Sequence, residues 1–181
     1  MLYTLGLRLN EALNLTLRDV NFDHGTIFIQ DSKFHKDRII PFGPKMGVHL
    51  KKYIFLRRHI FKPVKSNDYL FIARQRFRVS DGNIRCAFSK LIKSQQTNDS
   101  HGKAHPRLHD LRHTFAVHRL LQWYKDGVDV QNKLPLLSTF MGHVDIYSTQ
   151  VYLSITEDIL KEANKRFQLN FGSKFDKEIL S

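Results

Sequence analysis

The stretch that decides the fold is GTIFIQDSKFHKDRIIPF, residues 25–42. Within it, two short runs of β-branched and aromatic residues, 26–29 and 38–42, flank the polar segment SKFHKD. Such runs on either side of a polar turn predict a β-hairpin that belongs to a small sheet. Lys33 and Lys36 fall at or near the predicted tip. A lysine there is usually only solvated, but a hairpin tip is also a place from which a lysine reaches a neighbouring ligand.

Most of the remaining chain shows the three- and four-residue apolar spacing that is typical of helices. On this spacing we predict helices over residues 2–18, 44–62, 81–96, 109–124, 134–141 and 156–167. Thr156, with Glu157 and Asp158 behind it, suits the start of the last helix. We further predict an extra strand at 69–72, a loop at 95–103 and a loosely held tail at 170–181. The fold class is therefore mainly α with a small antiparallel β-sheet, an α+β fold.

Composition narrows the choice of partner. The 181 residues carry a formal net charge of +12, which favours a polyanion such as nucleic acid or an anionic membrane surface over a merely basic soluble protein. No apolar run is long enough to span a bilayer, and the N-terminus lacks the pattern of a signal peptide. The single cysteine, Cys86, excludes an internal disulfide and fits a reducing cytoplasm. Nucleic acid is the favoured partner, and no membrane is expected.

Several common chemistries find little support. His109 and His113 stand four residues apart, with His101, His105 and His118 nearby, yet no H-E-x-x-H motif and no cysteine pair accompanies them. We therefore expect no bound metal. No G-x-S-x-G occurs for serine hydrolysis, and no Walker loop or G-x-G-x-x-G occurs for nucleotide-driven chemistry.

Four blocks of sequence carry residues suited to phosphate chemistry. They are TLGLRLNEALNL at 4–15, SKFHKDRIIPF at 32–42, HDLRHTFA at 109–116 and MGHVDIYSTQVY at 141–152. Each block alone is a weak motif, and the tyrosine that ends the last block is by itself well explained as half-buried. In this order and with these gaps, however, the four blocks resemble the catalytic domain of the tyrosine recombinase or phage-type integrase family. The resemblance covers nearly all of residues 2–168.

The resemblance implies the reaction and its catalytic residues. The set falls on Arg8, Lys33, His109, Arg112, His143 and Tyr152. Family members cut and rejoin DNA through a 3′-phosphotyrosyl link and a free 5′-hydroxyl, without metal or ATP, so no cofactor is expected. The chemistry is consistent, because two guanidiniums neutralise a phosphate under attack. A phenol with a pKa near 10 also needs a base or a strong cationic field.

The resemblance also implies roles for the two histidines and the lysine of this set. His109 would take the phenol proton, His143 would hydrogen-bond the phosphate, and Lys33 would protonate the leaving 5′-oxygen. Lys36 is the alternative to Lys33, but the family pattern puts the catalytic lysine first. Because the covalent bond conserves the energy of the phosphoester, the same site can rejoin strands.

The organisation expected from the resemblance is a catalytic domain over residues 1–168, with the start of its first helix truncated, and a C-terminal tail at 169–181. The N-terminal core-binding domain of the family is expected to be absent. The partners would be double-stranded DNA and further copies of the chain, since the family works as a tetrameric synapse. Residues 156–181 would then pack on a neighbouring protomer. The expected location is the cytoplasm, at the nucleoid when bound to DNA, and a mobile element is the favoured setting.

Seven further cations are candidates for contacts to the DNA backbone, although each alone is also explained as a solvated charge. They are Arg57, Arg58, Arg74, Arg76, Arg78, Lys90 and Lys93. Such contacts would make binding steeply dependent on salt. Two alternative functions stay open: a catalytically inactive DNA-binding remnant of an integrase, and relaxation of supercoiled DNA as in type IB topoisomerases.

Overall fold

The computed structural model describes residues 1–30, 37–74, 76–95, 106–143 and 145–167, and gives the backbone alone for 162–167. Lys33 and Lys36 of the predicted hairpin tip lie outside the described residues. So do the predicted loop after residue 95 and the predicted tail from residue 170.

Helices dominate the described ranges. The helices are α1 (Leu2–Leu5), α2 (Leu9–Asn14), α3 (Pro44–Ile60), α4 (Asp81–Gln95), α5 (Leu108–Lys125), α6 (Val130–Met141) and α7 (Tyr147–Phe167). The strands are β1 (Val20–Asn21), β2 (Thr26–Ile29) and β3 (Arg38–Pro41), and a 3-10 turn at Leu17–Asp19 precedes β1. This confirms the predicted class, mainly α with a small antiparallel β-sheet. None of the helices in these ranges is both long and apolar enough to cross a bilayer.

The sheet has the order β1-β2-β3, and both pairings are antiparallel. Ile27 of β2 lies opposite Val20 of β1 and Ile40 of β3, and all three side chains are buried. The two predicted strands around SKFHKD are therefore confirmed. The third strand is β1, not residues 69–72 as predicted. That segment makes isolated bridges instead, one of them between Thr16 and Tyr69.

The chain divides into two compact units. The first comprises Met1–Phe115 and Thr139–Gly142, and the second comprises Ala116–Ser138 and His143–Ser181. The core of the first unit joins the inner face of the sheet to apolar residues from α1, α2 and α3. These core residues include Leu5, Leu7, Ala12, Ile27, Ile29, Ile40, Leu50 and Ile54. In the second unit the buried side chains come from α5, α6 and α7, among them Leu120, Leu134 and Thr149.

The single helix predicted over residues 2–18 is wrong, because the chain turns after its first helical turn. Gly6 ends α1 in the left-handed conformation, with φ of 61°, a conformation that favours glycine. A Cβ at this position would also lie 2.5 Å from the ring of Phe115. Arg8 is then extended and starts α2, and its backbone N–H donates to a carboxylate oxygen of Glu11 at 2.8 Å. This is the reciprocal half of a capping box, so Arg8 sits at a helix start rather than inside a helix.

The predicted start of the last helix at Thr156 is also wrong. The helix α7 begins at Tyr147, where Asp145 accepts a hydrogen bond from the backbone N–H of Ser148 at 2.8 Å. Residues 145–150 are therefore a cap and a first helical turn. Thr156 lies within α7, and its hydroxyl donates to the carbonyl oxygen of Tyr152 at 2.7 Å. Tyr152 is thus held on a continuous helix.

Candidate active site

Two arginines from distant parts of the sequence bind the C-terminal end of α6. Arg8 donates from Nη2 to the carbonyl oxygen of Gly142 at 2.6 Å, and its Nη1 lies 3.5 Å from the carbonyl oxygen of Met141. Arg112, on α5, donates from Nη2 to the same Met141 oxygen at 2.7 Å and from Nη1 to the carbonyl oxygen of Gly6. The last carbonyls of a helix have no partner within the helix and carry partial negative charge. The two guanidiniums satisfy them and are thereby fixed in place.

A buried carboxylate holds the first of these arginines. Glu11 is 8% exposed, and its Oε1 accepts from Nη1 of Arg8 at 2.9 Å. Arg38, the first residue of β3, donates two parallel hydrogen bonds to the same carboxylate, at 3.0 Å and 2.8 Å. Burial alone would raise the pKa of Glu11, but the hydrogen bonds and charge of Arg38, with the hydrogen bonds from Arg8, outweigh burial and lower that pKa below 4.5.

Arg38 also reaches the end of α6. Its Nε donates to the carbonyl oxygen of Phe140 at 3.1 Å. Three arginines, Arg38, Arg112 and Arg8, therefore hold three successive carbonyls at the end of this helix. Sequence reasoning missed both Glu11 and Arg38 as site residues. For Glu11 the available signal was its place three residues after Arg8, as in a capping box at a helix start, whereas no local signal marked Arg38.

Gly142 has two reasons to be glycine. Its φ is 68°, the left-handed conformation that ends many helices. A Cβ here would lie 2.6 Å from Nη1 of Arg38, so the guanidinium occupies the space beside the glycine. Gly142 is thus the C-cap of α6. It presents the Gly142 carbonyl, in the peptide bond to His143, to Arg8.

His109 lies in the first turn of α5, three residues before Arg112, so both project from one side of the helix. Its ring packs edge-on against that of His113, with centroids 4.4 Å apart. Partial burial, then the charges of His113 and Arg112, lower the pKa of His109 below 6.5, although Asp110 opposes them. Burial likewise lowers the pKa of His113. An imidazole shifted in this way is neutral at pH 7 and can accept a proton.

The second unit contains His143 and Tyr152. Their rings are stacked, with centroids 6.2 Å apart and 16° between the planes. Nδ1 of His143 lies 2.7 Å from the hydroxyl oxygen of Thr149, one turn into α7. Tyr152 is 3% exposed. The helix start at Tyr147 therefore sets the spacing that brings the last two candidate residues together.

The structure thus places the predicted residues in two groups. Arg8, His109 and Arg112 belong to the first unit, and His143 and Tyr152 belong to the second. Lys33 lies outside the described residues. Among the side chains that the structure describes, no cluster of three His, Cys, Asp or Glu could hold a metal ion.

The candidate DNA-contact residues differ in exposure. Most of them are on the surface: Arg58, Arg74, Arg76, Lys90 and Lys93. Arg78 is half-buried and donates to the side-chain oxygen of Asn14 at 2.8 Å. Arg57 is 4% exposed and donates to the carbonyl oxygen of Tyr69 at 3.0 Å. Arg57 therefore lies in the protein interior, and its prediction as a surface contact to DNA is wrong.

Known proteins share sequence and fold with most of this chain. The model of the phage integrase family matches residues 1–158. The chain is 39% identical over 171 residues to the putative integrase/recombinase y4rB of Sinorhizobium fredii, covering 93% of this chain and 54% of that protein. It thus spans about half the length of that relative.

Solved structures show the same fold. The crystal structure of XerA recombinase superposes with a TM-score of 0.68 at 26% identity, over 92% of this chain and 55% of that one. The XerH site-specific recombinase, bound to a palindromic difH substrate in a post-cleavage complex, gives a TM-score of 0.65 at 24% identity. That match covers 92% of this chain and 44% of XerH, and at this identity it shows the fold alone.

Proposed function

Since this chain belongs to the phage integrase family, we propose that residues 1–168 form the catalytic domain of a tyrosine-type site-specific recombinase that acts on double-stranded DNA. The observation that carries the proposal is the pair of guanidiniums, Arg8 and Arg112, fixed at the end of α6. Two fixed cations on neighbouring carbonyls are suited to bind one phosphate from two directions. The net charge of +12 adds attraction for a polyanion.

The arginines stabilise the charge that gathers on the phosphate during attack. A guanidinium carries five N–H groups, and the side-chain contacts described for Arg8 use its two terminal nitrogens, so donors are available to a phosphate. Arg112 is 1% exposed and anchored by two carbonyls. A donor held this way needs no reorganisation when charge develops, and one such donor lowers the barrier by about 3–4 kcal/mol.

The covalent step transfers the phosphoryl group to the tyrosine. The phenol oxygen of Tyr152 attacks phosphorus, the bond from phosphorus to the 5′-oxygen breaks, and a 3′-phosphotyrosyl ester forms. His109 accepts the phenol proton, for which its lowered pKa suits it at neutral pH. Lys33 gives a proton to the leaving 5′-oxygen. The reverse sequence, starting from a 5′-hydroxyl, rejoins the strand without an added energy source.

His143 serves the phosphate and orients the nucleophile. Its Nδ1 is engaged by the Thr149 hydroxyl, and where that hydroxyl donates, Nε2 carries the ring hydrogen and can donate to a phosphate oxygen. The stacked rings restrict the rotation of Tyr152. We further propose that copies of the chain assemble on DNA, as the tetrameric synapse of the family implies.

The test is formation of a covalent adduct with DNA. The chain is incubated with a pool of nicked duplexes of randomised sequence, in which the cleaved fragment diffuses away and traps the intermediate. Wild type should give an SDS-resistant protein–DNA species, and Tyr152→Phe should abolish it. Tyr147→Phe is the matched control, since Tyr147 starts the same helix and is 74% exposed.

The outcomes separate the functions. Absence of a wild-type adduct, with salt-sensitive DNA binding that Tyr152→Phe leaves unchanged, would overturn the proposal in favour of a non-catalytic DNA-binding protein. Relaxation of a supercoiled plasmid by the monomer would instead indicate the activity of a type IB topoisomerase.

A further inference from the structure

Glu11 poses an electrostatic problem for the proposed reaction. Its carboxylate lies 2.9 Å from the Arg8 guanidinium, and a carboxylate paired with an arginine cancels the charge that a phosphate would meet. The pair is also part-buried, where opposite charges interact more strongly than in water. With Arg8 and Glu11 alone, the first arginine of the site would contribute little net positive charge.

We propose that Arg38 is a positioning residue. Its guanidinium neutralises the charge of the Glu11 carboxylate and thereby leaves the charge of Arg8 available to the DNA phosphate. Arg38 makes a fork-to-fork pair with Glu11, at 3.0 Å and 2.8 Å, which is the stronger geometry for such a pair. Arg8 makes one side-chain hydrogen bond to the same carboxylate. The three groups together have a net charge of about +1, from two guanidiniums and one carboxylate. The inference rests on the proposed function.

The surroundings of Arg38 fix this geometry. Its backbone is held in the sheet, opposite Ile29 of β2. Its Nε is anchored on the carbonyl oxygen of Phe140, and its guanidinium occupies the space beside the Cα atom of Gly142. Arg38 thus ties β3, the strand that follows the Lys33 segment in the chain, to the helix end that Arg8 and Arg112 hold.

A purely structural ion pair would have the same contacts, but it makes a different prediction. If Arg38 only stabilises the fold, then Arg38→Met should react at the wild-type rate under conditions where it is folded. If Arg38 acts on the charge of Arg8, the slow reaction of an Arg38 variant is caused by the uncompensated Glu11 carboxylate. Changing that carboxylate to an amide should then restore the rate. Glutamine also keeps the cap to the Arg8 backbone N–H.

The experiment measures the single-turnover rate of adduct formation at saturating protein. It is run on wild type, Arg38→Met, Glu11→Gln and the double variant, with DNA affinity and melting temperature measured in parallel. Arg38→Met should lower the rate by about 10- to 100-fold, the size typical of a lost supporting partner, with DNA affinity unchanged. The double variant should react faster than Arg38→Met and approach the wild-type rate. Arg85→Met is the control, since Arg85 is an exposed arginine that pairs with Asp81 on α4.

Each result decides the inference. A double variant that reacts no faster than Arg38→Met, or an Arg38→Met that reacts like wild type, overturns it while the proposed function stands. If Arg38→Met does not fold, the double variant decides alone, because it leaves no buried charge unpaired. A folded double variant that is slower than wild type by more than about 100-fold overturns the inference. If wild type itself gives no adduct, the proposed function fails, and the inference fails with it.

Discussion

Arg8 donates a hydrogen bond of 2.6 Å to the carbonyl oxygen of Gly142. This bond ties the first of the four sequence blocks to the last, because the bound carbonyl belongs to the peptide bond that leads into His143. Arg8 is therefore fixed at the C-terminal end of α6. The last two candidate residues, His143 and Tyr152, follow that end in the chain. A guanidinium in this position serves the fold and the proposed reaction at once.

Replacement of Arg8 by lysine should separate these two roles. Lysine keeps the positive charge but lacks the planar fork that reaches Gly142 and Glu11 together. We expect Arg8→Lys to slow adduct formation by about 100- to 1,000-fold, the cost of losing one fixed donor to a transition state. Single-turnover kinetics measure this, with the exposed Arg85→Lys as control. A rate within a few-fold of wild type would contradict the role of the Arg8 fork.

Gly142→Ala should destabilise the chain more than an alanine at a matched glycine. Gly127 has nearly the same left-handed backbone, with φ of 66° against 68°, but open space around it. Both substitutions incur the conformational penalty of about 1–2 kcal/mol. Only Gly142→Ala also meets the Arg38 guanidinium, which should add about 1–3 kcal/mol.

Urea denaturation of both variants measures the difference. The excess loss at Gly142 should shrink when Arg38→Met is introduced alongside. Equal losses at the two glycines would contradict the close approach of Arg38.

The free energy of unfolding of the chain should fall in acid because the Glu11 carboxylate becomes protonated. Its folded-state pKa is lowered below 4.5, so its carboxylate contributes stability that is fully present above pH 4.5. That stability is lost as the pH falls through the lowered pKa, because the unfolded state takes up its proton at a higher pH than the folded state does. Glu11→Gln removes this titration. We therefore expect wild type to lose stability more steeply than Glu11→Gln below pH 4.5. Urea denaturation at a series of pH values measures the free energy of unfolding of both. Parallel curves of that free energy against pH would contradict the pairing of Glu11 with the arginines.

The rate of adduct formation should fall on the acid side as His109 becomes protonated and can no longer accept the phenol proton. Its pKa is lowered by burial and by the charge of His113, and raised by Asp110. His113→Gln should therefore move the acid limb of the profile to higher pH, and Asp110→Asn should move it to lower pH. Shifts in the same direction for both variants, or a profile without an acid limb, would exclude His109 as the base.

The parts of this fold that sequence alone predicts are those decided by local patterns. The pair of strands around SKFHKD follows from alternation and turn composition, and the fifth helix follows from apolar spacing. The break at Gly6 was missed because leucines on both sides continue a helical stripe, whereas the conformation of one glycine beside Phe115 decides the turn. The start of α7 was missed because Thr156 resembles a cap, but its hydroxyl bonds within the helix to Tyr152.

In the candidate site, too, sequence predicts the features that are visible locally and misses those set by packing. The resemblance to the family nominated Arg8, Lys33, His109, Arg112, His143 and Tyr152, and all of these except Lys33 lie within the described residues. The pairing of Arg38 with Glu11 was not visible in the sequence, because it joins a strand to the start of a helix. The packing of the first unit decides which residues form this pair. A charged residue that opens a strand has the same local pattern whether it is solvated or buried against a carboxylate.

The role of Tyr152 as the nucleophile can be tested without any variant. The most direct measurement is to trap the wild-type adduct on nicked duplexes, digest it with protease and nuclease, and locate the residual nucleotide by fragmentation mass spectrometry. We predict a nucleotide joined through its 3′-phosphate to Tyr152, on a peptide derived from α7. A nucleotide on any other residue, Tyr147 included, or a linkage through a 5′-phosphate, would contradict it.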